Sequence, residues 1–270
     1  MEIIKSFKEH PGGNNLVCVN PEKSFLKNNS RVQFTGKNNI LFVEDNVNLI
    51  NSYIKFPGDD AVVYLSSSRF PYYLSVKADP CTALFIGKDN YMNNIISLIP
   101  AEMKNIIIGA DGLFSFGISV NTSDSHPLYS MTDNTRINHS SSVFIGDHVW
   151  LGQSAIILKG CRIGSGAVIG AGSVVPKKTI PSNCAASGNP AKIIRRNVFY
   201  TGDCVHGWLE DEAARHESFD SDRWKYEPGP ETVSFDELDL RLRKAENSKE
   251  RLEIILNKIA GNTDKNRFAL

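Results

Sequence analysis

The chain has 270 residues, long enough to bury a substantial core without disulfides, and 30 basic residues balance 30 acidic ones. Zero net charge excludes the basic footprint of most nucleic-acid-binding proteins, so no nucleic-acid partner is expected. The five cysteines are scattered without a CxxC pair, which predicts free thiols rather than a zinc or redox motif.

The N-terminal region predicts a water-soluble protein with loosely repeated structure. It lacks the apolar stretch of a signal peptide, and no run in the chain approaches the roughly 18 apolar residues of a membrane helix. A cytoplasmic protein with no transmembrane segment is therefore expected. The fragments VEDNVN from Val43, LINSYI from Leu49 and IGKDNY from Ile86 keep a six-residue spacing in loose form, so residues 1–105 are predicted to form irregular early coils.

A strict period of six begins at residue 145 and defines the central segment, residues 106–196. The chain reads IGDHVW, LGQSAI, ILKGCR, IGSGAV, IGAGSV, VPKKTI, PSNCAA and SGNPAK. Aliphatic residues occupy the first position, at Ile145, Leu151, Ile157, Ile163, Ile169 and Val175. Small or β-branched residues occupy the fifth, at Val149, Ala155, Cys161, Ala167, Ser173 and Thr179.

This period predicts an all-β fold made of short parallel strands. Strands alternate faces every second residue, so the first and fifth positions point to the same side, which we expect to be the core. The units are too short for helices, and the Gly, Asn and Asp residues between them can adopt the positive φ of a sharp corner. Three units would complete one triangular coil of a parallel β-helix.

Two segments interrupt or follow the repeat. The period fails between about Ser123 and Ser142, so residues 123–142 are predicted to leave the coil as a loop, a place where function commonly lies. Residues 197–270 are predicted to be a partly helical extension, with helices capped by Ser234 and Ser248 that pack on the coil or on another subunit. The second helix should present Leu252, Ile255, Leu256 and Ile259 on one face.

An ordered set of motifs between residues 106 and 196 carries a family resemblance. NTSDSHPLY from Asn121, RIN, VFIGDHVWLGQ, IGAGSVVPKK and SGNPAKII resemble the hexapeptide sugar O-acetyltransferases, with the SDSHP loop most similar to the surface-polysaccharide members. The resemblance implies a left-handed parallel β-helix and transfer of acetyl from acetyl-CoA to a hydroxyl of a capsular or lipopolysaccharide sugar. It also implies a homotrimer with the donor bound in a groove between subunits, and no metal.

The resemblance assigns roles to individual residues. His126, in SDSHP, would be the general base, since an imidazole can deprotonate a sugar hydroxyl at neutral pH. Trp150 would lie beside the active site with its indole facing outwards. The resemblance places Gly152, Ala171, Lys177, Lys192 and Arg195 at the acetyl-CoA site, the cations near its phosphates. An acidic residue should orient His126, but Asp124 is too near in sequence to be a safe choice.

Three other functions remain open from the sequence. N-acetylation of an amino sugar or nucleotide sugar uses the same coil and donor, although residues 1–105 show no GxGxxG motif after a strand. A γ-type carbonic anhydrase would need three histidines, for which His126, His139 and His148 are the candidates, but their spacing does not give the close pair of that class. A non-catalytic β-helical module would not require the His, Trp, Gly-Ala-Gly and NPAK motifs together.

Overall fold

The computed structural model describes residues 1–270 and consists mainly of short parallel strands wound into a β-helix. In chain order the strands are β1 (Glu2–Ile4), β2 (Leu16–Cys18), β3 (Phe25–Lys27), β4 (Arg31–Phe34), β5 (Ile40–Val43), β6 (Asn48–Ile50), β7 (Tyr53–Phe56), β8 (Val62–Leu65), β9 (Leu74–Lys77), β10 (Ala83–Ile86), β11 (Tyr91–Met92), β12 (Ile96–Ile99), β13 (Ile106–Ile108), β14 (Leu113–Phe114), β15 (Ser119–Asn121), β16 (Val143–Ile145), β17 (Trp150–Leu151), β18 (Ile156–Ile157), β19 (Arg162–Ile163), β20 (Val168–Ile169), β21 (Val174–Val175), β22 (Thr179–Ile180), β23 (Cys184–Gly188) and β24 (Ala191–Arg196). Four helical elements follow: α1 (Glu210–Arg215), α2 (Phe235–Lys244), α3 (Ser248–Ile255) and a π-helical turn (Leu256–Ala260).

Three sheets form the sides of a triangular prism. Sheet 1 has the order β1-β4-β7-β9-β12-β15-β18-β21, and sheet 2 the order β2-β5-β8-β10-β13-β16-β19-β22. Sheet 3 has the order β11-β14-β17-β20-β23-β24, and β3 and β6 form a separate pair. Pairing is parallel except at the two ends, where β1 and β24 are antiparallel to their neighbours. Each coil of the later part passes through sheets 1, 2 and 3 in turn, so the edge between sheets 1 and 2 lies opposite sheet 3.

The coils before the loop are regular, with a period that the sequence reading missed. One buried ladder along sheet 1 contains Val32, Ile54, Val76, Leu98, Val120, Ile157 and Val175. The numbering gives steps of 22 residues as far as Val120, a step of 37 across the loop, and a step of 18 in the strict repeat. Strands before the loop in this sheet have four residues, as in β7, whereas β18 and β21 have two. The longer coils therefore do not divide into three equal units of six.

The interior of the strict repeat agrees with the prediction at every position but one. All six residues in the first position of the hexapeptide are buried, as are the first five in the fifth position, among them Cys161. Thr179 is exposed, so its predicted core position is wrong. Ile163 pairs with Ile180, a step of 17 residues, and the loss of one residue in that coil turns Thr179 to the outer face.

Corner residues with positive φ separate the strands, as the repeat predicted. At the edge between sheets 2 and 3 they are Asp111, His148, Gly166 and Asn183, with φ of 58°, 51°, 73° and 54°. Gly and Asn adopt this left-handed conformation at low cost, whereas a histidine does so less readily. His148 therefore occupies a corner position for a reason other than backbone preference.

The C-terminal helices cover the outer face of sheet 2. Outward side chains of that sheet, including Tyr64, Phe85 and Phe144, pack with Phe235 and Ile255 in a second apolar cluster, and the rings of Phe144 and Phe235 stack 4.6 Å apart. This sheet face is thus closed, whereas the outer faces of sheets 1 and 3 are not covered by helices.

The helix boundaries differ slightly from those predicted. Ser234 caps α2 by accepting from the Glu237 N–H, as expected, but α3 is capped by Asn247 and not by Ser248. Ser248 instead donates its hydroxyl to the Asn38 carbonyl. The π-helical turn rotates Leu256 out of the predicted apolar face, leaving it 40% exposed. The longest helix, α2, has ten residues, and none of the helices has the length and apolarity to cross a bilayer.

Candidate active site

The predicted loop leaves the coil between β15 and β16, at the edge joining sheets 1 and 2. No strand forms between Asn121 and Val143, which confirms the excursion. The outer half of the loop is a hairpin, in which the Ile137 N–H donates to the Leu128 carbonyl at 2.9 Å and Tyr129 bridges Arg136. The loop therefore projects as a defined structure from the prism.

An ion pair fixes one side of the loop to the preceding coil. The Arg136 guanidinium donates two hydrogen bonds to the Glu102 carboxylate, at 2.7 and 2.9 Å, and the Ser140 hydroxyl donates to the same carboxylate. The hydrogen bonds from Arg136, then that from Ser140, lower the pKa of Glu102 to about 2. Glu102 is consequently ionised at neutral pH, and the bidentate geometry holds the loop in one orientation.

A second set of contacts ties the base of the loop to the following coil. Lys159 donates to the Asp124 carboxylate and, at 3.0 Å, to the Asn138 carbonyl. The Asn138 amide donates to the Asp124 carboxylate at 2.9 Å, while its oxygen accepts from the Leu128 N–H at 2.7 Å. The hydrogen bond from Lys159 is the main reason that the pKa of Asp124 is lowered. Both strands of the loop therefore meet at one polar junction.

His126 lies directly on this junction. Its N–H donates to the Asp124 carbonyl at 2.9 Å, and its carbonyl accepts from the Asn138 amide at 2.9 Å. The backbone is fixed on both sides, while the imidazole is exposed and makes no hydrogen bond within the chain. The Asp124 carboxylate is bonded to Lys159 and Asn138, so it does not orient the His126 ring.

The hairpin around His126 exposes an unusual amount of apolar surface. Leu128, Tyr129 and Ile137 are each more than half exposed, and Met131 is fully exposed. Contiguous apolar surface on a defined structure is typical of an interaction site. These side chains do not fold back onto their own prism.

Trp150 lies on a different face of the molecule. It is in β17 of sheet 3, with Leu151 pointing into the core, and its indole is 40% exposed on the outer face, as predicted. Leu113 and Val168 flank it in register on β14 and β20. Because sheet 3 lies opposite the edge that bears the loop, His126 and Trp150 emerge on opposite sides of the chain.

Two of the predicted donor residues lie at the edge between sheets 3 and 1. Gly152 is buried, and a Cβ at this position would lie 2.6 Å from the Ala171 nitrogen of the next coil, so tight packing between coils explains this glycine. Ala171 is exposed at the corner below it. Gly172 follows with φ of 66° and open space around its Cα, which leaves room for an extended ligand.

The three predicted cations do not lie together. Lys192 and Arg195 are exposed on β24, the last strand of sheet 3. Arg195 pairs with Ala185, which pairs with Val168, so it lies three strands or roughly 14 Å from Trp150 on the same sheet. Lys177 instead lies at the edge between sheets 1 and 2, near Gly160 and on the side of the His126 loop. None of the three cations is in an ion pair within the chain.

The histidines considered for a metal site are separated by structure. His148 is buried, with Nδ1 3.0 Å from Asp111 and Nε2 3.0 Å from the Tyr200 carbonyl, so both ring nitrogens have partners. His126 and His139 are exposed on the loop. No group of three or more His, Cys, Asp or Glu side chains is arranged to hold a metal ion.

Several residues around the site were not predicted from the sequence. They are the loop anchors Glu102, Arg136, Asn138 and Lys159, and the aromatic residues Tyr200 and Trp224 near Trp150. Asn138 and Arg136 belong to the RIN motif, which could have marked them. Glu102 and Tyr200 carry no local signal, because their partners are distant in the chain.

The comparisons with known proteins agree with this architecture. Residues 142–177 match the family model described as bacterial transferase hexapeptide (six repeats). The polysialic acid O-acetyltransferase of Neisseria meningitidis is 30% identical over 203 residues, covering 74% of this chain and 93% of the relative. The crystal structure of the polySia specific acetyltransferase NeuO is similar with a TM-score of 0.64 and 30% identity, covering 75% of this chain and 93% of that one.

A further relative acts in a different named process. WbbJ of Escherichia coli K12, a putative lipopolysaccharide biosynthesis O-acetyl transferase, is 33% identical over 122 residues, which are 42% of this chain and 60% of that protein. The repeat, the loop and the near full-length match to the Neisseria enzyme agree with one another. This chain therefore belongs to the hexapeptide-repeat O-acetyltransferases, in the family of the polysialic acid O-acetyltransferases.

Proposed function

We propose that this enzyme transfers acetyl from acetyl-CoA to a hydroxyl of a capsular or lipopolysaccharide sugar, with His126 as general base. The observation that carries the proposal is the presentation of His126: its backbone is fixed by Asp124 and Asn138, and its imidazole is exposed and unpartnered. The names of the relatives support a sugar of a surface polysaccharide as the acceptor.

The chemistry needs a base, a polarised thioester and a path for one proton. His126 removes the proton of the acceptor hydroxyl as its oxygen attacks the thioester carbonyl carbon. The carbon–sulfur bond then breaks, the acetyl group remains on the sugar oxygen, and the imidazolium returns its proton to the departing thiolate. The oxyanion formed on the way needs fixed donors, for which a backbone N–H or the Trp150 indole are the candidates.

We further propose that each active site forms between two subunits of a homotrimer. His126 and Trp150 emerge on opposite sides of one chain, so one site can use both only if they come from different copies. The exposed apolar hairpin, with Met131 at its tip, provides a surface for the neighbouring subunit. Closed cyclic symmetry then repeats the same contact three times.

The donor would lie along the edge and face that bear Trp150. Ala171 and the open corner at Gly172 accept an extended chain, and the unpaired Lys192 and Arg195 offer positive charge for phosphates. Acetyl-CoA supplies the activated acetyl group. Lys177, on the opposite edge of the chain, would reach a donor only in the site formed with the other neighbour.

The proposal is tested by incubating the protein with acetyl-CoA and a panel of purified capsular polysaccharides, lipopolysaccharide sugars and amino sugars. We expect acceptor-dependent release of CoA thiol and a product carrying one added acetyl group that mild alkali removes, since esters are alkali-labile. An alkali-stable product would indicate amide formation and an amino-sugar acceptor. Thiol release that no acceptor in the panel stimulates would contradict the proposed function.

A further inference from the structure

A stack of aromatic rings connects the corner of the prism to the indole of Trp150. The His148 imidazole lies parallel to the Tyr200 ring at 4.1 Å and to the Trp224 ring at 3.6 Å. Two rings at such distances cannot share one face of an imidazole, so His148 lies between them. Tyr200 in turn contacts Trp150, with ring centroids 5.6 Å apart and an interplanar angle of 51°.

The centre of this stack is held rigidly. His148 is only 3% exposed, and its two ring nitrogens are bonded to Asp111 and to the Tyr200 carbonyl, each at 3.0 Å. These bonds fix the rotation of the ring about its own axis, while the two stacked rings fix its plane. This use explains why a histidine occupies a corner with positive φ.

Both aromatic partners come from the segment that follows the β-helix, and one residue holds that segment in place. The Asn183 side chain donates to the carbonyls of Val198 and Trp224, at 3.0 and 2.8 Å, and accepts from the Tyr226 N–H at 2.7 Å. Asn183 occupies the same edge of the prism as His148. The chain is therefore fixed on both sides of the stack.

Tyr200 contributes its ring and not its hydroxyl. The ring is buried, and the hydroxyl oxygen has no hydrogen-bond partner. Burial raises the pKa of Tyr200, so the phenol stays protonated and cannot serve as a base at neutral pH. What remains is the aromatic surface that Tyr200 presents to Trp150.

We propose that Tyr200 is a positioning residue that fixes the Trp150 indole, and that the segment after the β-helix thereby supplies part of the active site. The inference rests on the proposed function, in which Trp150 borders the reacting groups. An indole on an open sheet face samples several rotamers, and the tilted contact with Tyr200 removes that freedom. Misplacement of a group near the reacting atoms lowers kcat more than it weakens binding.

The activity test uses Tyr200→Leu, which retains apolar volume, Tyr200→Phe, which retains the ring, and Trp150→Ala, alone and combined with Tyr200→Leu. We expect Tyr200→Leu to lower kcat roughly tenfold with little change in KM, and Tyr200→Phe to match the wild type. If Tyr200 acts through Trp150, the double variant is no slower than Trp150→Ala. Multiplicative losses in the double variant, or a wild-type rate for Trp150→Ala, would overturn the inference.

A second readout does not depend on catalysis and separates this inference from the proposed function. In protein labelled with fluorotryptophan, the fluorine resonance of Trp150, identified by its loss in Trp150→Phe, should shift in Tyr200→Leu and stay in place in Tyr200→Phe. Phe219→Ala is the matched control, because Phe219 lies in the same segment and packs on Phe199, away from Trp150. A Trp150 resonance unmoved by Tyr200→Leu would refute the positioning role, whether or not the acetyl-transfer assay succeeds.

Discussion

Replacing His126 by alanine is expected to lower kcat about 10²- to 10⁴-fold, the range contributed by a positioned general base. The imidazole is exposed and makes no contact that stabilises the fold, so KM should change little. Steady-state release of CoA thiol with a fixed acceptor measures both constants. A His126→Ala variant that acetylates the acceptor at the wild-type rate would remove His126 from its proposed role.

His139 provides a matched control for this experiment. It is an exposed histidine on the same loop, outside the junction formed by Asp124, Asn138 and Lys159. His139→Ala should retain the wild-type rate, and both variants should unfold within roughly 0.5 kcal/mol of the wild type, as is usual for exposed positions. A loss of rate confined to His126→Ala then reports chemistry and not damage to the loop.

Replacing Arg267 by alanine is expected to have the largest effect on stability, a loss of about 3–5 kcal/mol in the free energy of unfolding. Arg267 is 7% exposed, and its guanidinium donates two hydrogen bonds of 2.8 Å to the Asp147 carboxylate. A third donor reaches the Ile259 carbonyl at 3.1 Å. The substitution leaves Asp147 nearly buried without its cation, and it detaches the C-terminal residues from the prism.

Urea unfolding followed by circular dichroism measures this difference, with Arg241→Ala as the control. Arg241 also pairs with a carboxylate, that of Glu237, but on the exposed surface of α2, where such pairs contribute about 0.3–0.5 kcal/mol. If Arg267→Ala were to cost no more than Arg241→Ala, the buried pair would not be the anchor of the C-terminal segment.

The strict repeat made the scaffold readable from the sequence, because one face of each short strand must be apolar and each corner must turn. Ile145, Ile157 and Ile169 are buried where the period placed them. The reading failed at Thr179, where one missing residue reversed the face, and before residue 123, where coils of 22 residues hide a period of six. Both failures arise from small changes in corner length, which leave no local trace in composition.

The candidate site was readable only in part. The motif around His126 and the outward position of Trp150 follow from local sequence. The partners that fix them do not, since Glu102 reaches Arg136 across 34 residues and Tyr200 joins His148 from 52 residues away. Gly152 illustrates the reverse case: the resemblance suggested a donor contact, whereas close packing against Ala171 already accounts for the glycine. Its role in donor binding stays a prediction.

The central claim is that His126 of one subunit and Trp150 of the next share an active site, and complementation between inactive chains tests it most directly. His126→Ala and Trp150→Ala chains carrying different affinity tags are coexpressed and purified on both tags, so every trimer is mixed. One of the three sites in each mixed trimer then combines an intact histidine with an intact tryptophan, and about a third of the wild-type rate should return. A rate no higher than that of the two parental variants would contradict the account, because a site built within one chain carries a defect in every copy.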